Sequence, residues 1–298
     1  MPARTRIDAI EALIHQDVGR NIAPLFAASQ GGLWRAASAL AAGTAPRIGL
    51  LTGFYVPQAA PPAAETDGPA GAALLARFLS GVGEACRMLT DEPCAPACRA
   101  ALAGAGVGGL AVDVVAVDAP LGGVIAAWRE HGIDWVIAIE RCGRAACGAP
   151  RNMRGQDISA HAAPLDDVFS AGPWRTIGIG DGGNEIGMGT LPADLIAAHV
   201  THGATIACVT PATHLVTAGV SHWGAYALIA ALAVLRPDWQ AAALDCLDPA
   251  VDQAILEALV FRGPAVDGVS LRQALTIDSL DLAEHQRKLA AIRNGLVS

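Results

Sequence analysis

The chain has 298 residues, 53% hydrophobic and only 16% charged, which argues against disorder and leaves ample apolar surface for a large core. A net charge of −8 argues against the basic face that a nucleic-acid backbone requires, so no nucleic-acid partner is expected. Nineteen of the twenty basic residues are arginines and no GxxxxGK[ST] loop occurs. The single Lys288 lies in a charged stretch near the C-terminus, so Schiff-base and P-loop chemistry lack their lysine.

In chain order, the polar-interrupted first twenty residues read as an amphipathic helix without a secretory signal, opening a helical extension over 1–46. Short apolar runs predict strands at 47–53, 86–90, 112–117, 135–139, 176–180 and 204–209. Helical patterns lie between them at 69–83, 93–104, 122–131 and 184–199. This alternation predicts a single α/β domain over 1–298, with a mostly parallel, Rossmann-like sheet and helices on both faces. The tail from about Asp248 also reads as helical and ends in a C-terminal helix within 272–298.

Residues 216–235 carry no formal charge over twenty positions, enough to cross a bilayer, but Thr217, Ser221 and His222 interrupt the run and no basic cluster flanks it. It reads as a buried helix, and no membrane partner is expected. A helix over 278–294 carries Leu282, Leu289 and Ile292 on a stripe that suits either packing against the domain or a homodimer contact. Seven cysteines, an odd number with no CxxC pair, suggest reduced thiols and a cytoplasmic setting.

Ligands of an open parallel sheet bind beyond the carboxyl ends of its strands. Acidic residues fall there repeatedly: Glu65 and Asp67, Asp91 and Glu92, Asp118, Glu140, then Asp181 and Glu185. Asp67 before Gly68-Pro69 and Asp118 before Pro120 also suit ordinary helix caps, and Asp91 and Glu92 precede Pro93. Glu140 differs, because it follows an apolar strand and precedes no helix. The segment Gly180-Asp181-Gly182-Gly183-Asn184-Glu185 places two carboxylates four residues apart on a glycine-rich backbone that exposes N–H groups before the next helix. Two carboxylates about 4 Å apart repel by roughly 4 kcal/mol at an effective dielectric near 20, so such a cluster needs protons or a cation. All-oxygen donors favour Mg²⁺ or Mn²⁺. The aperiodic stretch 141–172, with Arg141, Arg144, Arg151 and Arg154, is expected to line a cleft for an anionic metabolite.

The segments ETDGPAGAALLARFL, IAIERCGRAACGAPRNMRGQDIS, PLDDVF, IGIGDGGNEIGMG and AGVSHWGAYAL, in this order, resemble the D-glutamate cyclase C-terminal domain family over 47–271. Animal members of that family carry the domain behind a large N-terminal hydro-lyase-like domain, for which this chain has no room. The resemblance implies a lyase converting D-glutamate to 5-oxo-D-proline and water. It implies Glu140 as base and Glu65, Asp67, Asp181 and Glu185 as ligands of Mg²⁺ or Mn²⁺. Arg141, Arg144 and Arg154 would clamp substrate carboxylates, with Asn152, Gly182, Gly183, Asn184, Ser221 and His222 around the substrate. Cys142, Cys147 and His222 depart from the family's usual residues; His222 suits a general base or a hydrogen-bonded packing role. Carboxylates with arginines also suit a metal-dependent phosphohydrolase of a small phosphorylated metabolite, or a metal-gated binding module for an acidic metabolite.

Overall fold

Near-continuous apolar runs make strands that must be covered on both faces, and the computed structural model, which describes residues 1–297, has that arrangement. Six strands, β1 (Arg47–Thr52), β2 (Ala85–Asp91), β3 (Val112–Val115), β4 (Trp135–Ile139), β5 (Arg175–Gly180) and β6 (His214–Thr217), form an all-parallel sheet in the order β3-β2-β1-β4-β5-β6. This is the Rossmann order, and its topological switch point lies between β1 and β4.

Helices α1 (Ala3–Ile14), α2 (Ala23–Ser29) and α3 (Gly32–Ala41) precede the sheet. The crossovers are α4 (Asp67–Gly81), α5 (Ala95–Gly104), α6 (Gly122–Glu130), α7 (Asp166–Ala171), and the pair α8 (Ala193–His199) and α9 (Gly203–Ile206). After β6 come α10 (Ser221–Leu235), α11 (Gln240–Cys246), α12 (Pro249–Phe261) and α13 (Leu282–Val297). Strand side chains alternate between two cores. Ile48, Leu50, Ile137 and Ile139 face a thick layer built on α4 and α10, while Leu51, Val136 and Ala138 face a thinner one with Trp128 and Phe169. Helix α10 is apolar on every side because it lies inside the thick layer, against α4, α3, α1 and α13. Among the described residues no helix is long and apolar enough to cross a membrane.

Four expectations are corrected. The sixth strand is His214–Thr217, whereas 204–209 holds the short α9 and an isolated bridge at Cys208. Residues 184–192 are not helical: Gly187, at φ +106°, packs its backbone against Gly178 of β5, which a helix there would prevent. The first helix ends at Ile14, and α13 starts at Leu282 rather than 278. Both helical ends pack into the sheet's core, where Ile7, Ile10, Leu289, Ile292 and Leu296 lie in the same cluster as β1 and α10. The apolar stripe of α13 is thereby used inside the chain.

Gly49 in β1 leaves room for the Trp128 ring, which is fully buried, edge-on to Trp174, and donates from its indole N–H to Asp113 at 2.7 Å. A Cβ at position 49 would lie within that ring. Gly49→Ala is therefore expected to destabilise the fold by about 2 kcal/mol through overpacking, read as a lower urea midpoint at unchanged slope.

Candidate active site

Beyond the carboxyl ends of β1, β4 and β5 lies a cavity of about 270 Å³, lined in part by Phe54, Tyr55, Glu65, Glu140, Arg154 and Asp181. Its position is the switch point that the strand order predicts.

Glu140 closes β4 with φ +44°, a left-handed backbone that a non-glycine residue adopts at a cost. Its carboxylate Oε2 accepts from the Ser221 hydroxyl at 2.6 Å, at the first residue of α10. Asp67 opens α4, yet its carboxylate serves another helix: Oδ1 accepts from the His222 amide at 2.6 Å and Oδ2 from the Ser221 amide at 3.1 Å. Asp181 Oδ2 accepts from that same Ser221 amide at 2.8 Å. The N-terminus of α10, where the helix field is positive, thus gathers Asp67, Asp181 and Glu140 at one point.

Glu185 folds back onto its own loop. Its carboxylate accepts from the amides of Gly182 (2.6 Å), Gly183 (2.8 Å) and Asp181 (3.2 Å). Gly183 at φ +97° lets the loop curl around that carboxylate. Glycine and acid in this segment are one device: the amides that the sequence suggests would face a ligand are turned onto Glu185, whose oxygens keep lone pairs for a further partner.

Burial pushes the Glu140 carboxyl well above the ordinary range, reinforced by the charges of Asp181, Glu185, Glu65 and Asp67. Glu65 and Asp67 are raised in the same way, by burial and then by Asp278 and Asp181. Asp181 is raised by burial although Arg20 opposes the shift. Glu65 Oε1 and Asp278 Oδ2 are buried acceptors without a hydrogen-bond partner. Two triads have ligand atoms within 4.8 Å of one another, Asp67/Asp181/Asp278 and Glu140/Asp181/Glu185, and Asp181 belongs to both. Buried, mutually repelling, all-oxygen acceptors fit a hard divalent cation.

The arginine-rich stretch behaves differently from its expected role. Arg141 is buried and turned away from the cavity, pairing with Asp91 at 2.6 Å and donating to the carbonyls of Gly53 and Ala163. The left-handed backbone at Glu140 turns the chain as it leaves the strand, with Glu140 on the cavity and Arg141 buried beneath it. Arg144 pairs with Asp167 on the surface. Arg154 and Asn152 do line the cavity, but the Asn152 side chain is engaged with the Arg154 and Gln156 amides and the Gln156 side chain. Asn184 donates to the Arg151 carbonyl at 2.8 Å and ties the stretch to the glycine loop. His222 turns its ring away from Asp67, into the helical layer, where Nε2 meets Asp252 Oδ1 at 2.6 Å beside Tyr226.

Two residues at the site escaped sequence reading. Arg20, in the α1–α2 connection, reaches Asp181 at 3.5 Å and Asp278 at 2.6 Å. Asp17 fixes that turn by accepting from the Gly19, Arg20 and Ile22 amides, and the Asp-x-Gly pattern is its local signal. Asp278 sits with Ser279 at the tip of a two-residue hairpin joining Thr276–Ile277 to Leu280–Asp281, both at positive φ.

With this geometry in place, the comparisons with known proteins decide the family. The family model described as D-glutamate cyclase-like, C-terminal, matches residues 10–293. The chain belongs to the D-glutamate cyclase-like family. The match runs from within α1 to within α13, wider than 47–271 and in keeping with the shared core of the terminal helices. A curated family relative, the mitochondrial D-glutamate cyclase of Homo sapiens, is 33% identical over 248 residues, 78% of this chain and 39% of that protein. The chain thus spans about two fifths of the length of the curated relative it matches. A solved exopolyphosphatase-related protein from Bacteroides fragilis aligns over 90% of this D-glutamate cyclase-like chain and 56% of its own, at 10% identity and a TM-score of 0.38.

Proposed function

We propose that this chain is a divalent-metal-dependent lyase that closes D-glutamate to 5-oxo-D-proline with loss of water. The observation that carries this reading is the meeting of Glu140 and Asp181 at one cavity, in a chain of the D-glutamate cyclase-like family. Ring closure forms a bond between the amine nitrogen and the side-chain carboxyl carbon, and one carboxyl oxygen leaves as water. The amine attacks only when neutral. Glu140 is the base for the ammonium proton through Oε2, which the Ser221 hydroxyl holds in place, and its other oxygen is left for an ion that Asp181 and Glu185 would share. Arg154 at the cavity wall faces a substrate carboxylate.

Asp181 with Glu140 and Glu185, or with Asp67 and Asp278, would hold Mg²⁺ or Mn²⁺, and Glu65 lies beside them on the same cavity. Bound there, the ion supplies charge that polarises the side-chain carboxylate. A cavity walled by carboxylates excludes a second anion unless cations offset them, which suits a substrate carrying an ammonium group better than a phosphate ester. A phosphohydrolase would draw on the same carboxylates; Arg141 and Arg144, expected to clamp substrate carboxylates, are engaged elsewhere on either reading, which leaves Arg154 to meet a substrate anion.

The test is an NMR time course of the purified protein with D-glutamate. With Mn²⁺, 5-oxoproline signals are expected to grow, and in EDTA they are expected to stay absent. A flat trace in both conditions, with Mn²⁺-dependent turnover of an aryl phosphate, overturns the lyase reading.

A further inference from the structure

The carboxyl groups at this site far outnumber the cations that the chain brings to them. Glu65, Glu140, Asp181 and Asp278 line one cavity, Asp67 and Glu185 complete the two triads, and among the described residues one partly buried guanidinium, that of Arg20, pairs with any of them. Its placement is uneven. Arg20 bridges Asp181 and Asp278, two members of the Asp67/Asp181/Asp278 triad. In the other triad, Glu140 accepts from the Ser221 hydroxyl and Glu185 from backbone amides, so neither has a formal positive charge bonded to it.

Arg20 is also built into its position. The Asp17 turn fixes its backbone, the Gly219 carbonyl accepts from its guanidinium at 3.0 Å, and its side chain is only 15% exposed. On the opposite side, Asp278 is carried by a hairpin held from below, where Asp267 accepts from the Ser279, Val269 and Ser270 amides. Asp278 Oδ2 stays buried and unpartnered, with the side chain 6% exposed, and Glu65 Oε1 is unpartnered in the same cavity. Arg20 therefore does not saturate its own acceptors, which retain the donor atoms a metal ion would take.

We propose that the Arg20 guanidinium is a built-in cation occupying the Asp67/Asp181/Asp278 position, which confines divalent metal to the Glu140/Asp181/Glu185 position. The site then holds one metal ion and one arginine where the carboxylates alone would accept two metal ions. Asp181, shared by both triads, is the bridge between the fixed cation and the exchangeable one. This inference rests on the metal-dependent reading above, and its test separates the two.

The experiment counts Mn²⁺ bound per full-length chain by equilibrium dialysis and elemental analysis, with circular dichroism melts confirming folding. Arg20→Ala and the better-filling Arg20→Gln are expected to bind one more Mn²⁺ than wild type. Arg20→Lys, which keeps the charge, is expected to match wild type. Adding Asp278→Asn to Arg20→Ala is expected to remove the gained ion. Equal counts in wild type and the neutral variants overturn the proposal, as does a gained ion that survives Asp278→Asn. Two ions in wild type overturn it without any variant. No ion in wild type but one in Arg20→Ala supports the role of Arg20 while overturning the metal-dependent function. No ion in any protein overturns both.

Discussion

Replacing Asp181 with asparagine is expected to lower 5-oxoproline formation by about a thousandfold or more and Mn²⁺ affinity by more than about a hundredfold. Asp181 is common to both carboxylate triads, so its loss weakens every arrangement that would hold the ion. Asparagine has nearly the same volume, and its carbonyl oxygen can still accept from the Ser221 amide that Asp181 Oδ2 holds at 2.8 Å. The fold is therefore expected to survive. Metal-free stability is expected to rise, because Asp181 is among the charges that push Glu65, Asp67 and Glu140 upward. Calorimetric Mn²⁺ titration, the NMR assay and a urea melt in EDTA check the three parts together. A variant that loses activity and also unfolds more easily points to a structural role, and one with unchanged affinity and turnover removes Asp181 from the metal site.

How much of this was legible in the sequence depended on range. Strands β1, β2, β4 and β5 were readable because a parallel strand buried on both faces is a near-continuous apolar run. Strand β6 was not, since two of its four residues are His214 and Thr217, whereas the other edge strand, β3, was readable from its three valines. The helix expected over 184–199 came from Ile186, Met188, Leu191 and Ile196, whose apolar character serves two separate cores instead of one helix face. Glycines 187 and 189 and Pro192 were the contrary signal.

At the site, the carboxylates were found because strand ends are local features that a topology rule converts into neighbours. Arg20 and Asp278 were not, because the two are 258 residues apart in the chain and meet only through tertiary packing. Asp278-Ser279 adopts the paired positive φ of a hairpin turn without the Asn-Gly or Asp-Gly signature that announces it. Arg141 was misplaced because adjacency to Glu140 in sequence does not place it at the cavity when the chain turns through a left-handed backbone at Glu140.

The metal-free protein is expected to become less stable as pH rises from about 6.5 to 8, above the range in which His15, His214 and His285, each held below its ordinary value chiefly by burial, contribute a slope of the opposite sign. Glu65, Asp67, Glu140 and Asp181 are all raised above their ordinary values in the fold, each chiefly by burial. In the unfolded chain they titrate near pH 4. Between those values the native state binds more protons than the unfolded one, so the slope of stability against pH is negative. The contribution is fully present below about pH 4 and is lost as pH climbs through the raised native values. Each proton retained in this way costs about 1.4 kcal/mol per pH unit. Arg20 opposes the trend at Asp181 and Glu65 without reversing it. A divalent ion takes the place of those protons, so Mn²⁺ is expected to flatten the profile and to release protons as it binds. Urea midpoints at pH 5, 6, 7 and 8, in EDTA and in Mn²⁺, measure both slopes. A profile in EDTA that is flat or rises with pH above about 6.5 shows that the cluster carries its charges without protons or metal, and the argument for a cation at this site then fails.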